Sequence, residues 1–142
     1  MVAARSPQAL DVPSLTALGA GYSGAMVGRV LVVDDHPAVA LALKVYLRRD
    51  GRFAVTASAA TAAEGLQLAP GHDAVLLDLH LQDMTGTDLV HAFRAAAPAA
   101  RLVLYTAADD TPAVEDVRGL VDAIVGKGDP EAVATVLAQL IS

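Results

Sequence analysis

Val30-Leu31-Val32-Val33-Asp34-Asp35 and Ala74-Val75-Leu76-Leu77-Asp78 read alike: a short, wholly apolar run that ends in carboxylates. Leu102-Val103-Leu104-Tyr105-Thr106 and Ala123-Ile124-Val125-Gly126-Lys127 repeat the pattern with a hydroxyl and an ammonium at the end. A strand that is apolar on both faces belongs inside a parallel sheet covered by helices on both sides. Strands joined by helical crossovers all point the same way, so their C-terminal ends share one edge, where ligands bind in open α/β sheets. Asp34, Asp35, Asp78, Thr106 and Lys127 are far apart in sequence and are expected to converge there. Carboxylates that close cannot all stay ionised without a cation. An all-oxygen ligand set points to a hard divalent ion, Mg²⁺ first and Mn²⁺ as the substitute.

The segments between these runs alternate regularly. Helices are predicted from about Pro37 to Arg49, Thr61 to Leu68, Thr85 to Ala97, Thr111 to Leu120, and from Asp129-Pro130 to the end. Val39, Leu43, Tyr46 and Leu47 share one face of the first, and Leu89, Val90 and Phe93 point inward from the third. In the last helix Val133, Val136, Leu137, Leu140 and Ile141 recur at helical spacing. Thr61-Ala62-Ala63-Glu64 has the form of a capping box, and Pro37 suits a first helical turn, where its missing N–H costs nothing. Phe53 to Ala57 is a weaker second strand. Five βα units in succession imply a flavodoxin-like, doubly wound (βα)5 fold with strand order 2-1-3-4-5. Its switch point lies between strands 1 and 3, where Asp34, Asp35 and Asp78 emerge.

Composition narrows the function. The 142 residues are one domain's worth of chain, 54% of them hydrophobic. There is no Cys, which removes disulfide, thiolate-metal and Cys-nucleophile chemistry. A net charge of −6 argues against direct nucleic-acid binding by this domain. No apolar run approaches a membrane span and no signal peptide is evident, so a cytoplasmic setting without membrane contact is expected. Residues 1–28 hold Pro7, Pro13 and four Gly but only two charges, Arg5 and Asp11, and read as a flexible N-terminal extension with a helical turn near Ser14 to Leu18. Met26 is an alternative start. The globular domain is expected over residues 29–142.

The ordered motifs Val32-Val33-Asp34-Asp35-His36-Pro37, Leu76-Leu77-Asp78-Leu79-His80-Leu81-Gln82-Asp83-Met84-Thr85-Gly86, Leu104-Tyr105-Thr106-Ala107 and Val125-Gly126-Lys127 resemble a response-regulator receiver domain of the CheY-like kind. The resemblance implies a phosphoryl-accepting signalling domain rather than a turnover enzyme. Asp78 would be the phosphoacceptor, supplied by a histidine kinase or a histidine phosphotransfer protein. Asp35 would bind the cation directly, Asp34 through water, with Asp78 and the backbone carbonyl of His80 completing the set. Lys127 would pair with a phosphoryl oxygen and Thr106 would be the switch hydroxyl. The His80 side chain is expected to face solvent. His36, His72 and His91 lack metal-ligand spacing among themselves and read as surface or capping residues.

Three positions depart from the family pattern. Ile124 stands three residues before the lysine, where an aromatic is frequent. Gly128 follows Lys127 where proline is frequent. Gln82 replaces a proline in the loop after Asp78. Strand 5 is therefore expected to respond little to activation. Tyr105 should point to the opposite face from Thr106, which makes it a poor substitute switch.

Other readings fit less well. A haloacid-dehalogenase-like phosphatase needs a second Asp two residues after its nucleophile, and His80 and His36 stand there instead. A Rossmann turn needs glycines that Asp34-Asp35-His36-Pro37 lacks. A phosphorylation-independent binding module would not need all five site residues. The His36-Pro37 pair and the acceptor loop resemble receivers fused to LuxR-type helix-turn-helix domains, a transcriptional lineage. With no effector segment after Ser142, the expectation is a stand-alone receiver or one separated from its output domain. Homodimerisation is compatible with the fold.

Overall fold

The computed structural model describes residues 27–107 and 111–141. The expected helical turn at Ser14 to Leu18, and the rest of the extension up to residue 26, lie outside the described residues. The elements are β1 (Gly28–Val33), α1 (Pro37–Asp50), β2 (Phe53–Ala59), α2 (Ala62–Leu68), β3 (Ala74–Leu77), α3 (Gly86–Ala96), β4 (Arg101–Thr106), α4 (Thr111–Val117) with a 3₁₀ turn at Arg118–Leu120, β5 (Ala123–Gly126) and α5 (Pro130–Leu140). All strand pairings are parallel and the order is β2-β1-β3-β4-β5, as the alternating pattern predicts.

The apolar runs are continuous because both faces of the sheet are buried. Leu31, Val33, Val75, Leu77, Leu102 and Leu104 pack with Leu89, Val90 and Phe93 of α3 and Val114 and Val117 of α4. The alternate residues Val30, Val32, Leu76, Val103, Tyr105 and Val125 pack with Leu43 and Leu47 of α1 and Val133 and Leu137 of α5. Gly65 lets α2 approach β1 closely: a Cβ there would lie 2.9 Å from both Phe93 Cζ and Val33 Cγ2. Any side chain at this position would push helix and sheet apart.

Local signals set the helix starts. Thr61 Oγ1 accepts from the Glu64 N–H at 3.2 Å, and Glu64 Oε1 reaches back to the Ala60 N–H rather than that of Thr61. Asp129 accepts from the Ala132 N–H at 3.0 Å at the head of α5. The β1–β2 pairing slips between Val30↔Val55 and Leu31↔Ala57, which leaves Thr56 as the extra residue of a bulge. Thr56 Oγ1 lies 2.9 Å from Nε2 of His72, whose Nδ1 lies 2.8 Å from the Leu68 carbonyl at the end of α2. His72 thus caps as expected, but it is buried rather than on the surface. A carbonyl only accepts, so Nδ1 carries a proton and donates to Leu68.

Candidate functional site

Sheet register builds the site. Val33 pairs with Leu77, and Leu77 with Leu104, so Asp34 and Asp78 leave their strands level with each other. The ladder runs one step past the strands: Asp34 N–H donates to the Ala59 carbonyl and Asp78 N–H to the Val33 carbonyl, each at 3.0 Å. Thr106 pairs with Gly126, and the Lys127 N–H donates to the Thr106 carbonyl at 2.8 Å. Asp34, Asp78 and Thr106 are all buried, which is unusual for carboxylates unless they are paired or ligate a cation.

The ammonium of Lys127 joins them. Its Nζ lies 2.9 Å from Asp34 Oδ2 and 3.1 Å from Asp78 Oδ2. Partial burial pulls the lysine pKa down, but hydrogen bonds and charge from Asp34 and Asp78 outweigh it and hold the pKa above the usual 10.5. Lys127 is therefore a fixed cation at neutral pH. The bond to Asp34 was not anticipated from sequence, which assigned Lys127 a phosphoryl oxygen as its partner.

His36 also proves closer to the site than its sequence reading implies. The ring is largely exposed, yet Nδ1 lies 2.9 Å from Asp34 Oδ1 and 3.0 Å from Asp35 Oδ1, and the His36 N–H donates to Asp34 Oδ1 at 2.8 Å. The contact to Asp35 has ion-pair distance without hydrogen-bond geometry. Asp35 Oδ1 is buried and has no hydrogen-bond partner among the described residues. Only the Asp-Asp-His-Pro order, which starts a helix just after the acids, could have signalled this proximity.

Asp34, Asp35, His36 and Asp78 each offer a ligand atom, all within 4.8 Å of one another. One ammonium against three carboxylates leaves an excess of negative charge, and Asp35 keeps an oxygen without a hydrogen-bond partner among the described residues. A hard divalent cation fits both facts. His91 is exposed and apart from this cluster. The exposed side chain of His80 is likewise no part of it, although the His80 N–H donates to Asp78 Oδ1 at 3.2 Å. An isolated bridge between His80 and Thr85 closes the loop after β3. Asp83 fastens that loop to α2, accepting from the N–H groups of Ala62 at 2.9 Å and Ala63 at 3.0 Å. Those bonds lower the Asp83 pKa, Ala62 contributing most. Sequence reasoning singled out Gln82 in this loop and missed the Asp83 anchor, whose partners lie 20 and 21 residues away.

Ile124, expected at a buried strand position, is half-buried at the edge of the α3–α4 layer. β5 is an edge strand, so only one of its long sides is covered by a neighbour. Tyr105 points into the opposite layer from Leu104, as strand alternation requires.

Comparison with known proteins places this arrangement in a family. Residues 30–136 match the response regulator receiver domain. The nitrate/nitrite response regulator protein NarP of Escherichia coli is 33% identical over 110 residues, which are 72% of this chain and 50% of that protein. The transcriptional regulatory protein KdpE of Mycobacterium tuberculosis is 37% identical over 100 residues, covering 69% of this chain and 43% of the relative. Among solved structures, the receiver domain of AraT from Geobacillus stearothermophilus superposes with a TM-score of 0.71 at 26% identity, over 81% of this chain and 93% of that one. A response regulator from Burkholderia pseudomallei, solved with a phosphorylated aspartic acid and a calcium ion, gives 0.65 at 30% identity over 78% and 66%. The chain belongs to the response regulator receiver domain family. It spans half or less of the length of NarP and KdpE. The phosphatase and phosphorylation-independent binding-module readings are not favoured. No described helix is long and apolar enough to cross a membrane.

Proposed function

We propose that residues 29–142 accept a phosphoryl group on Asp78 from a phosphohistidine of a histidine kinase or histidine phosphotransfer protein, in a Mg²⁺-dependent reaction. The observation that carries this reading is the buried Asp78 carboxylate held at 3.1 Å by Lys127 beside two further carboxylates. A carboxylate oxygen of Asp78 attacks phosphorus, the P–N bond breaks, and the imidazole leaves and is reprotonated, giving an acyl phosphate. Asp34, Asp35, Asp78 and the backbone carbonyl of His80 would hold the cation, with Mn²⁺ able to replace Mg²⁺. When bound, the ion supplies neutralising charge to the phosphoryl oxygens.

The remaining roles fall to the protein's own groups. Lys127 already bridges Asp34 and Asp78; it would keep Asp34 and exchange Asp78 Oδ2 for a phosphoryl oxygen. Thr106 sits one strand from Asp78, and its hydroxyl would donate to the phosphorylated side chain. The added charge, roughly −2, would favour a changed arrangement after β4 and alter contacts with an effector. Curated relatives of the chain are transcriptional regulators, which supports an output in transcription and a cytoplasmic setting. A self-catalysed, slow loss of the phosphoryl group completes the cycle.

Incubation with acetyl phosphate and Mg²⁺, read by intact-mass spectrometry, should add one acid-stable, base-labile phosphoryl group. Asp78→Asn should abolish it. Normal labelling of that variant would overturn the assignment, and repeated turnover of a phosphate ester would point back to a phosphatase.

A further inference from the structure

The phenol of Tyr105 reaches the loop that carries Lys127. Tyr105 is 4% exposed and packs with Val125, Val133, Ala134 and Leu137 in the α1–α5 layer. Its hydroxyl oxygen accepts a hydrogen bond from the Gly128 N–H at 3.1 Å. Two backbone features make this bond depend on the residue after the lysine. Gly128 has φ +90°, a left-handed conformation that side-chain-bearing residues rarely adopt. A proline at this place would have no N–H to donate and a φ near −65°. The same short loop is held on either side, by the Lys127 N–H on the Thr106 carbonyl and by Asp129 capping α5. Lys127 thus leaves the sheet between two donors, one bound to the backbone of β4 and one to a side chain of β4.

We infer that Tyr105 is a positioning residue for Lys127: through Gly128 it fixes the loop so that Nζ reaches Asp34 and Asp78 together. The role rests on the phosphoacceptor reading for its effect on labelling, but not for the tether itself. It also gives the buried phenol a static function. Tyr105 anchors the lysine loop to the sheet and does not move with Thr106, since its ring is buried in the opposite layer with residues of α1 and α5.

Tyr105→Phe removes the acceptor and leaves the packing volume nearly unchanged. In the full chain, the Gly128 amide should exchange with solvent about ten-fold faster or more, read by NMR. Labelling by acetyl phosphate at saturating Mg²⁺ should slow about three- to ten-fold, the range expected for one displaced hydrogen bond acting on alignment. The Mg²⁺ titration midpoint, read from amide shifts, should stay within about two-fold, because no cation ligand is touched. In a Lys127→Ala background, Tyr105→Phe should cause no further slowing. Unchanged Gly128 exchange would overturn the tether. Faster exchange with unchanged labelling, or equal slowing with and without Lys127, would overturn the positioning role and leave Tyr105 a core residue. A wild-type chain that takes no label would sink the phosphoacceptor reading and the positioning role with it, while Gly128 exchange would still decide the tether.

Discussion

At the N-terminal edge of the sheet, Asp73 and Asp122 are carboxylates with their own donors. Asp73 Oδ2 accepts from the Arg29 N–H at 2.7 Å. Asp122 Oδ2 accepts from the Leu102 N–H at 2.8 Å and from Arg94 at 3.1 Å, with Arg101 4.0 Å from the other oxygen. At the C-terminal edge, Asp34 and Asp78 share a single lysine, and Asp35 beside Asp34 keeps one oxygen without a hydrogen-bond partner among the described residues. The residue types are the same at both ends. Spacing and donor supply differ: Asp73 and Asp122 flank different strands, while the other three leave the adjacent strands β1 and β3 at one level. The first arrangement holds strands in place. The second leaves negative charge unneutralised, which favours a cation there; a phosphoryl group would be tolerated only beside that cation.

The largest expected contrast is in cation affinity. Asp35→Asn should weaken Mg²⁺ binding at least about ten-fold and slow labelling with it, since it removes a charged oxygen from a site with few protein ligands. Asp73→Asn should leave both within about two-fold. Isothermal titration and intact-mass time courses read the two variants side by side. Undiminished binding by Asp35→Asn would remove the assigned ligand.

Stability should show the reverse order. Asp122→Ala strips the partner from the Leu102 N–H and loosens Arg94, which also donates to the Ala100 and Leu120 carbonyls. A loss of about 1–3 kcal/mol is expected for an orphaned buried donor, with Mg²⁺ affinity unchanged. Urea unfolding measures it; a loss of cation affinity alongside would erase the distinction between the two edges.

A smaller effect concerns how the charged edge reports activation. Thr106 should be drawn toward the phosphoryl group, while half-buried, β-branched Ile124 has few rotamers to offer in response. The expected change therefore lies in the segment Ala107 to Ala113 and the start of α4; residues 108–110 lie outside the described residues. On acetyl-phosphate activation, the amides of Ala107, Ala113 and Val114 should shift more than those of Ala123 to Val125. The opposite ranking would show that the route runs through β5.

The smallest effect is in pH dependence. Asp83 has its pKa lowered by the Ala62 and Ala63 N–H groups, so its contribution is present above the unfolded carboxylate pKa and lost as pH falls through the folded value. Asp83→Ala should lower the melting temperature slightly at neutral pH and flatten the acid side of the profile. An unchanged acid limb would mean the loop is held by other contacts.

Most of the architecture was legible from residue order. Short apolar runs bounded by turn signals fit strands of a covered parallel sheet, and their alternation with amphipathic segments leaves one economical sheet order. Because parallel strands share an exit edge, Asp34, Asp35, Asp78, Thr106 and Lys127 could be gathered into one site before any coordinate was known. The motifs Asp34-Asp35 and Gly126-Lys127 are local, and local order is what sequence records directly. Contacts that depend on register and rotamer were not legible: Lys127 on Asp34, His36 against both acids, Asp83 on the first turn of α2, Tyr105 on Gly128. All but the local His36 contact join side chain to partner across elements, at a distance set by how helices and strands pack. His72 and Ile124 are instances of the same limit, one drawn inside by a bulge at Thr56, the other left half-covered by an edge strand. Periodicity assigns a residue to a face; only close packing in three dimensions decides which donor that face meets and how much solvent remains.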